Sequence, residues 1–74
     1  MARAFRRLRV RIEVNGEARE VRSPTLALLL EELGLADRRV ATALNHEFVR
    51  AKDRDDTKLR DGDAVEIVSP RQGG

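Results

Sequence analysis

Few residues in this chain have types and spacing that could do chemistry. There is no cysteine and a single histidine, His46. That excludes disulfides, thiolate nucleophiles and cysteine metal sites, and one histidine without nearby partners makes no metal centre. Asp53, Asp55 and Asp56 sit close together, but the segment lacks the glycine and the closing glutamate of a calcium loop. Residues 50–57 therefore read as a solvated connector. The end of the sequence remains: Ser69-Pro70-Arg71-Gln72-Gly73-Gly74. Pro70 has no backbone donor, so a sheet ladder should stop near it. Gly73 and Gly74 have no side chains, so they can present the Gly74 carboxylate on a thin thread that fits a narrow channel. The ordinary alternative is a frayed terminus, and composition alone favours it.

Around this tail the bulk properties are plain. With 74 residues the chain is one domain, near the lower limit for folding without a metal or disulfide. Absence of cysteine fits a reducing cytoplasm, the expected location. The longest apolar run, Leu26 to Leu30, is far short of a membrane span, and no apolar leader of signal-peptide length opens the sequence. The net charge of +2 and the pI of about 9.9 hint at nucleic acid. Without Arg3, Arg6 and Arg7, however, the formal balance falls to −1. With no Tyr or Trp and only Phe5 and Phe48, a stacking platform for single strands is missing. Residues 1–7 are read as a loose basic arm, and no specific nucleic-acid partner is expected.

From Leu8 the pattern alternates. Leu8, Val10, Ile12 and Val14 share one face, with Arg9, Arg11 and Glu13 on the other, as in a half-buried strand. Asn15-Gly16 is a two-residue hairpin signal. The return strand, about Glu17 to Val21, alternates poorly and suits a sheet edge or a small bulge. A helix follows, with Thr25 as N-cap and Ser23 ahead of Pro24 as the competing assignment. Leu26, Leu29, Leu30 and Leu33 form one apolar stripe, Glu31 and Glu32 stay on the wet side, and Gly34 with Leu35 is placed for a left-handed C-cap. Val40 to Leu44 reads as a third strand, Asn45-His46-Glu47 as a turn in which His46 tolerates left-handed geometry, and Phe48-Val49 as a short fourth strand. An Asp61-Gly62-Asp63 turn leads into a last strand, Ala64 to Val68.

This order predicts an α+β domain, a mixed four- to five-stranded sheet with one main helix on one face, over residues 8–68, followed by a flexible tail at 69–74. The first and last strands alternate most cleanly and are placed adjacent, central and parallel. The expected core is the leucine stripe against Val10, Ile12, Val40, Leu44, Val65 and Ile67. The uncovered face would carry Arg9, Arg11, Glu13, Ala41, Ala43, Glu66, Val68 and Phe48. Small and apolar side chains ringed by charge suit a docking surface as well as they suit a solvated face.

Five stretches then occur in a telling order. They are Val14-Asn15-Gly16-Glu17, Leu29-Leu30-Glu31-Glu32-Leu33-Gly34-Leu35, Val40-Ala41 with Ala43-Leu44-Asn45, Asp61 through Val68, and the closing Gly73-Gly74. Together, from about Leu8 to Gly74, they resemble the ThiS family, the small ubiquitin-like sulfur carriers of thiamine biosynthesis. The resemblance implies a β-grasp (ubiquitin-like) fold and a co-substrate rather than an enzyme. In that family a ThiF-type adenylating enzyme uses ATP to activate the terminal glycine carboxylate, here Gly74. Sulfur from a cysteine-desulfurase relay converts it to a thiocarboxylate, and a ThiG-type thiazole synthase takes the sulfur. The carrier itself binds no cofactor and is expected to be monomeric when free. Gly73, Gln72 and Arg71 would serve tail recognition, and Ala41, Ala43, Phe48, Glu66 and Val68 the partner-binding sheet face. Two departures are visible: the arm at residues 1–7, and His46 where a small turn residue is common.

Three rival readings remain. The small subunit of molybdopterin synthase commonly has a Pro-Pro pair before its tail, whereas Pro70 stands alone. A tRNA-thiolation carrier or protein modifier would use the same tail. A non-catalytic RNA-binding or regulatory β-grasp module would make the arm the working part.

Overall fold

A computed structural model of the chain describes residues 9–69. The basic arm at residues 1–7, Leu8, and the tail from Pro70 onward lie outside the described residues. Strand β1 (Val10–Val14) turns through Asn15-Gly16 into β2 (Glu17–Val21). Both turn residues have positive φ, +52° and +85°, which matches the right-handed twist of the flanking strands. Val14 faces Glu17 and Ile12 faces Arg19 in unbroken register, so β2 is an edge strand without a bulge. Only its last residue, Val21, is buried.

Helix α1 (Leu26–Glu32) starts at Thr25, whose Oγ1 accepts a 3.2 Å hydrogen bond from the Leu28 N–H, so Thr25 rather than Ser23 is the N-cap. At the other end Gly34 takes φ +77°. The Leu35 N–H bonds to the Leu30 carbonyl and the Gly34 N–H to the Glu31 carbonyl, the paired closure of a Schellman motif. Ser23 is buried and its hydroxyl donates to Glu32 Oε1, which also accepts from the Arg22 N–H. Exposed Glu32 thus ties the helix's last turn to the segment that enters it.

Strands β3 (Ala41–Leu44) and β4 (Glu47–Val49) form a second hairpin through Asn45-His46, again at positive φ, +50° and +72°. His46 therefore has the left-handed geometry expected of it. After a six-residue 3-10 helix, Ala51–Asp56, the chain reaches β5 (Ala64–Val68). The sheet order is β2-β1-β5-β3-β4, with β5 parallel to β1 and antiparallel to β3. The first and last strands are adjacent and parallel, as their alternation implied, and β5 is the central strand.

The core is Ile12, Val21, Leu26, Leu29, Leu59 and Val65, flanked by Val10, Val14, Leu33, Leu44, Val49 and Ile67. Three expectations need correction. Val40 precedes β3, is half-buried and lies outside the core, and its carbonyl accepts from Arg54 Nη2 at 2.7 Å. Leu59 is buried, held by its N–H to the Pro24 carbonyl at 3.0 Å, while the Leu26 N–H reaches the Thr57 carbonyl at 2.9 Å. Residues 50–57 are largely exposed, with no buried residue in their helix, but they are not a structureless connector. They carry the 3-10 helix, and half-buried Arg54 donates from Nε to Thr42 Oγ1 at 3.1 Å. Thr42, itself buried, donates its hydroxyl hydrogen to the Val49 carbonyl at 2.9 Å, and no buried side-chain polar atom among the described residues is left without a partner.

Candidate functional site

Strand pairing decides which side chains share the face away from α1. Ala43 faces Phe48 on one side and Glu66 on the other, and Ala41 faces Val68. Since successive strand residues point to opposite faces, Ala41, Ala43, Phe48, Glu66 and Val68 lie together, with Thr42, Leu44, Val65 and Ile67 turned to the core. Phe48 is 69% exposed and Val68 60%. The two alanines leave a shallow floor between them. The other half of the same face, on β1 and β2, is charged. Arg11 faces Glu20 across the pair, and Glu20 takes Arg9 at 3.4 Å and Arg11 at 3.8 Å. The outer face is thus split into an apolar half on β3, β4 and β5 and an ion-paired half on β1 and β2.

The apolar half ends where the chain leaves the sheet, and the backbone there is tied down with unusual economy. Strand β1 departs into its hairpin at Asn15 while β5 continues. The Asn15 N–H donates to the Val65 carbonyl at 2.9 Å. Beyond it the Asn15 side-chain amide takes over: Oδ1 accepts from the Ile67 N–H at 2.8 Å and Nδ2 donates to the Ile67 carbonyl at 3.1 Å. A side-chain amide carries the same donor and acceptor as a peptide unit, so Asn15 extends the parallel ladder one step past the strand.

Asn45 does the corresponding work at the start of β5. Its Oδ1 accepts from the Ala64 N–H at 2.9 Å and its Nδ2 donates to Asp63 Oδ1 at 3.0 Å. The Asp61-Gly62-Asp63 turn is wired in as well. Asp61 Oδ1 accepts from the Arg11 N–H at 2.9 Å, and the Gly62 N–H reaches the Arg11 carbonyl at 2.8 Å. Turn residues that sequence reasoning treated as punctuation are therefore the anchors of the strand that carries the tail. Asparagine at both hairpin tips signals the turns but not these distant partners.

Of the residues singled out for tail chemistry, Gly74, Gly73, Gln72 and Arg71 lie outside the described residues. Asp53 pairs with Arg50 at 3.5 Å rather than joining Asp55 and Asp56 in a site, and no three His, Asp or Glu gather into a metal-holding group among the described residues. No helix among them is long and apolar enough to cross a membrane.

Comparison with known proteins places this geometry. The ThiS family model matches residues 8–74. A curated relative, the sulfur carrier protein ThiS of Thermus thermophilus, is 44% identical over 61 residues, spanning 82% of this chain and 95% of the relative. Among solved structures, the crystal structure of the thiamine biosynthesis protein ThiS from Geobacter metallireducens superposes with a TM-score of 0.75 at 32% identity. That alignment covers 88% of this chain and all of the other. The five-stranded mixed sheet with one helix across it defines a β-grasp domain of the ubiquitin-like kind. The chain belongs to the ThiS family.

Proposed function

We propose that this chain is a sulfur carrier for thiazole formation in thiamine biosynthesis, with the Gly74 carboxylate as the carrying group. The observation that supports this most directly is the family match, which spans residues 8–74 and so includes the Gly73-Gly74 end. A carboxylate is a poor electrophile. A ThiF-type adenylating enzyme would join the Gly74 carboxylate oxygen to the α-phosphorus of ATP, with pyrophosphate leaving. The terminal sulfur of a persulfide supplied by a cysteine-desulfurase relay would then displace AMP from the acyl carbon. A second thiol would cleave the resulting acyl disulfide, leaving a thiocarboxylate as the better nucleophile and a disulfide as the other product. A ThiG-type thiazole synthase would accept that sulfur.

On this reading the domain is a handle and its partners supply the catalytic groups. The exposed Phe48 and Val68 with Ala41 and Ala43 give those partners an apolar patch, and Glu66 a polar edge. Ala41, beside Val68, places the patch next to the point where the chain leaves β5. Arg71 and Gln72 would guide the tail and Gly73 would let it pass a narrow channel.

The test is intact-mass measurement after incubation with the cognate adenylating enzyme, ATP and a sulfur donor. The full chain should gain the mass of one oxygen-to-sulfur exchange, and a chain lacking Gly74 should melt like the parent yet gain nothing. An unchanged mass with an active partner, or sulfur carried by the truncated chain, overturns the reading.

A further inference from the structure

Beside the apolar patch runs a groove of about 400 Å³ lined by Arg38, Arg39, Val40, Ala41, Ala51 and Arg54. Three of its six lining residues are arginines and none is acidic. Arg38 and Arg39 are exposed, and neither forms an ion pair among the described residues. Arg54 is half-buried and fixed. Its Nε bonds Thr42 Oγ1 at 3.1 Å and its Nη2 the Val40 carbonyl at 2.7 Å. That occupies two of the five donors of a guanidinium and gives the groove one pre-oriented cation. Asp53, the carboxylate just before Arg54, is turned to Arg50.

The placement matters as much as the charge. Ala41 belongs both to the groove and to the apolar patch, and it faces Val68, two residues before Pro70. The cationic groove therefore shares Ala41 with the patch and lies near the end of β5.

We infer that this groove is the second half of the docking surface and seats an acidic segment, an Asp- or Glu-bearing loop, of the enzyme that activates the tail. Three arginines and no acidic residue line the groove, so carboxylates from a partner would meet complementary charge there. Arginine's planar fork suits carboxylate in particular. The small apolar floor of Val40, Ala41 and Ala51 suits a protein loop better than stacked bases, since no aromatic side chain lines it. The assignment rests on the sulfur-carrier reading and adds a recognition element to it.

The experiment measures steady-state adenylation of the full chain by its cognate activating enzyme at low and physiological salt. The parent is compared with the R38E/R39E and R38K/R39K variants, and melting curves confirm folding. Arg54 is left in place because it also holds Val40 and Thr42. The charge-reversed chain should show a KM raised about tenfold at low salt with kcat unchanged at saturation, and a flattened salt dependence. The lysine variant, which keeps the charge but loses the fork, should have a KM between those of the parent and the charge-reversed chain. Equal KM and salt response for parent and R38E/R39E, with the parent adenylated normally, overturns the groove assignment and leaves the carrier reading intact. A parent that is not adenylated at all overturns both. Unmoved KM together with loss of binding to a single-stranded RNA oligomer in R38E/R39E overturns it in favour of nucleic acid.

Discussion

Asn15 illustrates what a single side chain can do where two strands part. Its amide stands in for a missing peptide unit and pairs with both polar groups of Ile67. Replacing it by aspartate keeps the acceptor but sets a second oxygen against the Ile67 carbonyl. We expect Asn15→Asp to cost about 1 kcal/mol of stability. Hydrogen exchange should accelerate chiefly at the last residues of β5, while the amide of Ala64, held by Asn45, keeps its protection. Uniform acceleration along the strand would contradict a local role for the clip. This work of Asn15 was not legible beforehand. The Asn-Gly pair announces a turn through its backbone preference, whereas the side chain's partner lies 52 positions away and no local pattern reports it. Arg54 and Leu59 escaped for a similar reason. Each is a lone residue in a polar stretch without period, and its importance comes only from what the fold brings against it.

The elements were far more readable, because period and capping are local. Alternation over Val10–Val14 and Ala64–Val68, and the leucine spacing after Thr25, correspond directly to β1, β5 and α1. Poor alternation in Glu17–Val21 correctly marked an edge strand. The helix is only seven residues long, too short to persist by itself, so packing must hold it. Leu26 and Leu29 are fully enclosed, and the strand-like bridge between Thr25 and Lys58 pins the helix start. Leu29→Ala should destabilise by about 2–5 kcal/mol, seen as a lower urea midpoint with little change in slope. A domain of this size has little stability to spare, so a large part of the population should be unfolded well below the parent's melting temperature. A midpoint shift equal to that of an exposed Leu28→Ala control would contradict this core role.

Taken whole, the molecule separates its duties by face: one side of the sheet packs the helix, and the other divides into an ion-paired half and an apolar half. Period two made the members of the apolar half readable in advance, since Ala41, Ala43, Phe48, Glu66 and Val68 had to share a side once their strands paired. The basic groove was not readable, because Arg38, Arg39 and Arg54 come together only when the 3-10 helix packs near the start of β3. The division predicts that Phe48→Asp uncouples stability from function. The melting temperature should stay within a few degrees of the parent, since an exposed residue contributes little to folding, while the KM for adenylation rises at least about tenfold. A melting temperature that falls in step with the KM would return Phe48 to the core.

The Asn15 clip also bears on how the chain ages. An asparagine followed by glycine is the sequence most open to deamidation, because the unhindered Gly16 nitrogen can attack the side-chain amide carbon and expel ammonia. Water then opens the succinimide to aspartate or isoaspartate. In the folded chain that amide is held by the Ile67 backbone and has to break two hydrogen bonds before it can swing toward Gly16. Folding thus shields the molecule from turning into its own aspartate variant. Each excursion to the unfolded state reopens that route, so the shelf life of the tail's anchor is set by how seldom the domain unfolds.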